Sequence, residues 1–393
     1  MMYDFETVID RRGTGSEKWD LIPKSMGESS GDVIALSVAD MEFRTAPEIT
    51  RALVKAAETG LYGYTGPTES YYDAVCGWMR RRHGWEIQKD WVCLSPGVVP
   101  AVFTAVRALT RPGDRVILQR PVYYPFTRAV ERSGCTVLDN ALLLRDGRYE
   151  MDFDDLERKA RDPRAKALIL CSPHNPVGRV WTGEELTRLG EICLRNGVTV
   201  ISDEIHFDFV FPGNGHTAFA SISEEFARNC MVMTAPSKTF NLAGLQISNI
   251  MIPDPGLRSR FCIAAENIAS GDTNYFSYAA CEAAYTQGEA WLGELLARLR
   301  ENRDGTVRFL AENLPQLKPL PLEGTYLMWL DCRSLGMGPK ELEAFLRGKA
   351  RLFFDEGYLF GEEGAGFERI NLACPPSVLC ESLERLKRAV DAL

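Results

Sequence analysis

With 393 residues the chain is long enough for a large core, and for two domains or one large and one small. An apolar content of 45% and a charged content of 25% are ordinary for a soluble globular protein and give no sign of disorder. Its 45 Lys and Arg against 54 Asp and Glu give a net charge of -9, so no basic face is offered to nucleic acid or to an anionic membrane, and a small-molecule partner is expected.

The opening Met1-Met2-Tyr3-Asp4-Phe5-Glu6 has no charged segment followed by an apolar stretch, and no apolar run approaches a membrane span. A cytoplasmic location is expected. Eleven cysteines without any Cys-x-x-Cys fit neither a disulfide framework nor a zinc site, and read mostly as small buried apolar residues in a reducing compartment. Four histidines without His-Glu-x-x-His suggest no metal cluster.

In chain order, residues 1–39 read as an arm: Lys18-Trp19-Asp20, a Gly/Ser-rich patch at Gly27–Gly31, then the apolar run Val33–Ala39 as a short strand. A helix is predicted over Pro47–Thr59, with Ile49, Leu53, Ala56 and Ala57 on one face and Gly60 as its stop. Leu61–Pro67 is a Gly/Pro-rich loop carrying Tyr62 and Tyr64. Aromatic packing beside a turn would explain both rings; delivery of a phenol into a site is the other reading, with Tyr64 as its candidate. Tyr71–His83 follows as a helix.

From Trp91 a pattern of strand, tight turn and helix recurs. Trp91–Leu94 breaks at Ser95-Pro96-Gly97 before Val98, Val99, Val102, Phe103, Val106 and Leu109 at helical spacing. Val116–Leu118 ends at Arg120–Pro125, and Ala167–Cys171 ends at Ser172–Gly178. Thr182 and Glu185 form a capping box for a helix with Leu186, Leu189 and Ile192 on one face and Gly197 at its end. Val198–Ile201 ends at Ser202–His206, and Met231–Met233 ends at Pro236-Ser237-Lys238-Thr239. Near-continuous apolar strands alternating with helices predict an α/β fold, a mostly parallel sheet covered on both sides. Ligands of such sheets bind at the carboxyl ends of the strands, where Gly97, Tyr123, Asn175, Asp203 and Lys238 all fall.

After Asn249–Ile252 the texture becomes α+β: helices over Leu257–Ile268, Tyr278–Tyr285 and Glu289–Leu310, a strand at Gly324–Asp331, a helix through Leu346, a strand at Phe367–Ala373 and a terminal helix. Residues 46–285 are expected to form the large domain, and 1–45 with 286–393 the smaller one.

Lys238, part-shielded by Pro236, Phe240 and Leu242, is placed to lose its proton and form an imine with an aldehyde cofactor, the chemistry of a pyridoxal 5'-phosphate (PLP) lysine. Such a site also needs a phosphate cradle, met by Gly97-Val98-Val99 at a helix start. It needs an aromatic lid (Tyr123), a donor to the ring's 3-oxygen (Asn175), an anion at the ring nitrogen (Asp203) and a rigid cation for the substrate carboxylate (Arg369). Taken singly, each is an ordinary turn, cap or surface residue. Together beside Ser237-Lys238 they are hard to assign to chance.

Ser172-Pro-His-Asn-Pro-Val-Gly-Arg179, Ser202-Asp-Glu-Ile-His206, Ala235-Pro-Ser-Lys-Thr-Phe-Asn241 and Arg369-Ile-Asn-Leu-Ala373 resemble the successive signatures of fold-type I, class I/II aminotransferase-like PLP enzymes, from about Ser37 to the C-terminus. The resemblance implies cofactor attachment at Lys238, with Asp203 on the ring nitrogen, Asn175 on the 3-oxygen, Tyr123 stacked and Arg369 on the substrate carboxylate. It further implies a homodimer with shared active sites, Tyr64 reaching the partner's cofactor phosphate. Lys18-Trp19-Asp20, Val38–Phe43, Ser95–Ala101, His206 and Thr273–Ser277 look like the MalY/PatB branch, the cystathionine β-lyase-type C-S lyases, and His206 and Ser237 are counted among the expected cofactor contacts. Two customary phosphate ligands are replaced by Ala235 and Gln246, with Thr234, Ser237 or Thr239 as candidate substitutes. The expected reaction is β-elimination from a cysteine-type amino acid, releasing a thiol, pyruvate and ammonia. The alternatives are a PLP-dependent aminotransferase and, from another class, a PLP-binding regulator acting through protein contacts.

Overall fold

The computed structural model describes residues 2–21, 32–270 and 273–393; the Gly27–Gly31 patch lies outside them. Seven strands form the main sheet in the order Val92–Ser95, Ser248–Met251, Cys230–Thr234, Thr199–Asp203, Ala165–Cys171, Arg115–Leu118, Thr136–Asp139. The last five are mutually parallel, whereas Ser248–Met251 is antiparallel to both neighbours. This is the mostly parallel α/β sheet that the continuous apolar runs predict.

Alternate side chains along those strands feed two cores, one on each face. Ile169, Cys171, Ile201, Met231 and Met233 pack with Ala101, Val102, Ala105 and Val106 of helix Val98–Leu109. Leu168, Leu170, Val200 and Val232 pack with Leu186, Leu189 and Ile192 of helix Gly183–Arg195. Period-two alternation with both faces apolar is what a doubly covered sheet requires. Each buried Val, Leu, Ile or Met among them is worth about 1.5–3 kcal/mol of burial. The Thr182–Glu185 capping box is present at the start of that second helix.

Register then sets the site. Cys171 pairs with Asp203, and Asp203 with Met233, so three neighbouring strands end level and release Asn175, Asp203 and Lys238 along one edge.

A second, antiparallel sheet runs Lys318–Pro319, Leu327–Asp331, Phe367–Asn371, Asp355–Glu356. Ile34–Ala35 pairs in parallel with Leu352–Phe353, which ties the N-terminal arm to the C-terminal part. The predicted strand Val33–Ala39 is only these two residues long. Beyond them Val38 turns to φ 50° and side chains take over the backbone groups: Val38 N donates to Asp355 Oδ2 at 3.1 Å, and Asn371 Nδ2 donates to the carbonyls of Val38 and Asp40 at 2.7 Å each. The predicted strand from Gly324 likewise begins only at Leu327, because Gly324 N is spent on Gly178 O and Thr325 N on Phe209 O.

Candidate active site

Strand Cys230–Thr234 runs into the helical turn Pro236–Thr239, which carries Lys238. Its Nζ donates to the carbonyl of Ala39 at 2.7 Å. Burial pushes the amine down from 10.5 to about 8, and Arg369 acts the same way, while Asp40 and Asp203 hold it back. The side chain therefore loses its proton at about pH 8, well below an ordinary lysine, as a nucleophilic or basic amine requires.

Around it is a cavity of about 170 Å³ whose walls include Gly97, Val98, Val99, Tyr123, Asn175, Asp203, His206, Ser237 and Lys238. Nine of the expected residues thus converge. Asp203 ends its strand fully buried, and burial raises its carboxyl from 3.8 to about 7 against the pull of the Ile205 N–H, which donates to Oδ1 at 3.0 Å, and of Lys238. Among the described residues no cation lies within ion-pair distance of it. A buried carboxylate so placed is stabilised by a cationic ligand atom. Asn175 accepts from Arg369 Nη1 on its Oδ1 at 2.9 Å, which leaves its amide N–H groups for the cavity. Tyr123 is fixed through its backbone N–H to Asn175 O at 3.2 Å and an edge-on contact with Phe126 at 5.8 Å.

Gly97 adopts φ 131°, a left-handed conformation that favours glycine, and opens the helix Val98–Leu109. The N–H groups of Val98 and Val99 have no partner earlier in that helix, so they are donors for an anion. His206 is buried with Nδ1 unpartnered, edge-on to Tyr326 at 5.7 Å, and burial keeps its ring neutral, far below 6.5. Arg369, on strand Phe367–Asn371, is buried, its Nε and Nη2 donating to Asp355 Oδ2.

Tyr64 is not brought to this cavity: it is 111% exposed at the tip of the 61–67 loop. Two of the three candidate phosphate substitutes are bonded elsewhere. Thr234 donates its hydroxyl to Asn249 O at 3.1 Å, and Thr239 to Asp208 Oδ2 at 2.6 Å; both are buried, and neither is among the residues that line the cavity. Of the three hydroxyls only that of Ser237 is on the wall, with Gln246 beside it.

Three participants were missed. The Ala39 carbonyl accepts from both Lys238 and the Tyr326 hydroxyl, the latter at 2.8 Å. Asp355 reaches Arg369 through the register Asp355↔Arg369, which no local pattern reveals. Lys18, quoted above only as part of a signature, is buried, with Nζ donating to Asp40 O at 3.0 Å and Glu42 Oε1 at 2.8 Å; Arg11 adds a bond to Asp40 Oδ2 at 2.8 Å. This cluster pins the residue next to Ala39.

A neutral amine, an unpaired buried carboxylate, an orphaned imidazole nitrogen and a glycine-opened helix start fit PLP: Lys238 for its aldehyde, Asp203 for its nitrogen, Gly97–Val99 and Ser237 for its phosphate. Among the described residues no three side chains could hold a metal ion, and no helix is long and apolar enough to cross a membrane.

Comparison with known proteins agrees with this reading. The model of the aminotransferase class I and II family matches residues 31–386. Cystathionine beta-lyase PatB of Bacillus subtilis is 44% identical over 99% of this chain and 100% of its own, and protein MalY of Escherichia coli is 32% identical over 100% of both. Among solved structures, cystalysin of Treponema denticola, which contains a pyridoxal 5'-phosphate cofactor, superposes with a TM-score of 0.97 at 47% identity over 100% of both chains. The PLP-bound C-S lyase of Staphylococcus hominis gives 0.90 at 30% identity over 99% of both.

Proposed function

The chain belongs to the class I and II aminotransferase family, with its fold-type I architecture, and from that premise we propose that it is a PLP-dependent carbon-sulfur β-lyase. It cleaves cystathionine or a related cysteine S-conjugate to a thiol, pyruvate and ammonia. Full-length likeness to named cystathionine β-lyases and C-S lyases carries the choice of reaction over amino transfer. Bound PLP supplies the electron sink for negative charge at the substrate Cα.

The chain's own residues do the rest. Lys238, neutral above about pH 8, takes the Cα proton onto Nζ, and the Ala39 carbonyl orients that amine by accepting its N–H at 2.7 Å. Asp203 supports a positive charge at the cofactor's nitrogen, and Tyr123, Asn175 and His206 orient the ring. Gly97, Val98, Val99 and Ser237 hold the phosphate. Arg369 receives the substrate carboxylate, its guanidinium held in plane by Asn175 and Asp355. Loss of the Cα proton and expulsion of the thiolate at Cβ balance as elimination, and water completes the release of pyruvate and ammonia.

The proposed assembly is a homodimer in which Tyr64 serves the partner's cofactor phosphate, supported by that tyrosine's full exposure beside exposed Leu61 and Tyr62. Residues 46–285 are taken as the PLP-binding domain, and 1–45 with 286–393 as the smaller one, in keeping with separate sheets over 92–251 and 318–371. The cytoplasm suits a chain of eleven cysteines, most of them buried. The test is a product profile: L-cystathionine should yield pyruvate and free thiol without any 2-oxo acid acceptor. Turnover that depends on 2-oxoglutarate would make it an aminotransferase instead.

A further inference from the structure

We propose that Arg128 is a specificity-determining residue of this site: it binds the carboxylate of the leaving thiol when the sulfur of the substrate carries a second amino-acid group. The inference rests on the lyase reading and names the substrate class within it.

Tyr123, Tyr124 and Arg128 form a line from the cavity outward. Tyr123 is a wall of the cavity, and the half-buried Tyr124 ring lies 5.4 Å from it. Helix Pro125–Arg132 starts at the next residue, so Arg128 falls on the same face as Tyr124, four residues on, and sets its guanidinium 4.8 Å above the Tyr124 ring. Arg128 is exposed, and among the described residues no carboxylate lies within ion-pair distance of it. Tyr124 also packs at 6.0 Å against Phe360, and Arg369 sits 4.9 Å over Phe360. Two guanidinium groups are therefore separated by two aromatic rings, the buried one assigned to the reacting amino acid and the exposed one unassigned.

A substrate anchored by its carboxylate at Arg369 must direct its β-sulfur away from that clamp, and the aromatic wall offers apolar surface to a thioether chain. A carboxylate at the far end of that chain then finds a guanidinium whose plane is already fixed by stacking, which lowers the ordering cost of binding. The Tyr124 hydroxyl is held above 10.0 first by burial and then by Asp355, with Glu17 adding to that effect and Arg369 and Arg128 opposing it. A guanidinium above that ring matches the carboxylate of a leaving group such as the one cystathionine carries, and gives nothing to a methyl group.

The test measures pyruvate release by the PLP-loaded holoenzyme from L-cystathionine and from S-methyl-L-cysteine, for the native protein, Arg128→Gln and Arg128→Lys. The ratio of kcat/KM for cystathionine to that for S-methylcysteine should fall about tenfold in Arg128→Gln, through KM, because a charge-assisted bond is lost. Arg128→Lys should recover part of it. A ratio that stays the same in Arg128→Gln, or a fall carried by kcat on both substrates, overturns the inference alone. Native protein that yields no pyruvate from either substrate overturns the lyase reading, and the inference with it.

Discussion

Replacing Asp203 by Asn should stabilise the cofactor-free protein while disabling the enzyme. Asp203 is buried, its Oδ1 accepts from the Ile205 N–H, and burial raises its carboxyl from 3.8 to about 7. That displacement disfavours the buried anion by about 4 kcal/mol. Because the folded value is the raised one, its contribution to stability is fully present below 3.8 and is lost as pH rises through about 7. At pH 8 the cofactor-free Asn variant should resist denaturant better than the native protein by up to about 4 kcal/mol, narrowing to about 1–2 kcal/mol at pH 5. With PLP bound the order should reverse, since a cationic ring nitrogen offsets the cost only for the anion, and turnover should fall by about a hundred- to a thousandfold. Urea titrations of both forms at the two pH values, with pyruvate assays alongside, decide it. A cofactor-free variant no more stable than native at pH 8, or turnover within tenfold of native, would refute the assignment.

Other outcomes follow from the same geometry. The rate at which cofactor-free protein captures PLP should rise with pH through about 8, because only the neutral Lys238 amine attacks the aldehyde; stopped-flow absorbance would show it, and a rate flat from pH 6 to 9 would count against it. Mixing Tyr64→Ala with Lys238→Ala protomers should regain part of the activity that each lacks, as shared sites demand, and monomeric elution without recovery would argue against sharing. Asn371→Ala should free the Val38–Asp40 segment and with it the Ala39 carbonyl, lowering kcat more than it raises KM; an effect on KM alone would deny the carbonyl its part in orienting Lys238.

The large sheet was legible because strands buried on both faces must be apolar throughout, as Ala167–Cys171 and Met231–Met233 are, and because turn residues mark where they stop. Lys238, Asp203 and Asn175 were legible for the same reason: each follows an apolar run, and parallel strands end level. What the sequence withheld depends on pairing and facing. Nothing local says that Asp355 lies opposite Arg369, or that Ile34–Ala35 pairs with Leu352–Phe353 to carry Ala39 to the lysine. Thr234, Ser237 and Thr239 are equivalent hydroxyls in the sequence, and only the folded chain separates Ser237, which lines the cavity, from Thr234 and Thr239, whose hydroxyls are spent on Asn249 and Asp208. The buried Lys18 cluster was hidden because lysine is ordinarily a surface residue, and its carboxylates are two dozen positions away in Asp40 and Glu42.

The most direct measurement is to load the protein with PLP, reduce it with borohydride and map the modified peptide. Lys238 alone should carry the pyridoxyl group. Label on any other lysine, or a protein that stays unlabelled, would contradict the role given to Lys238.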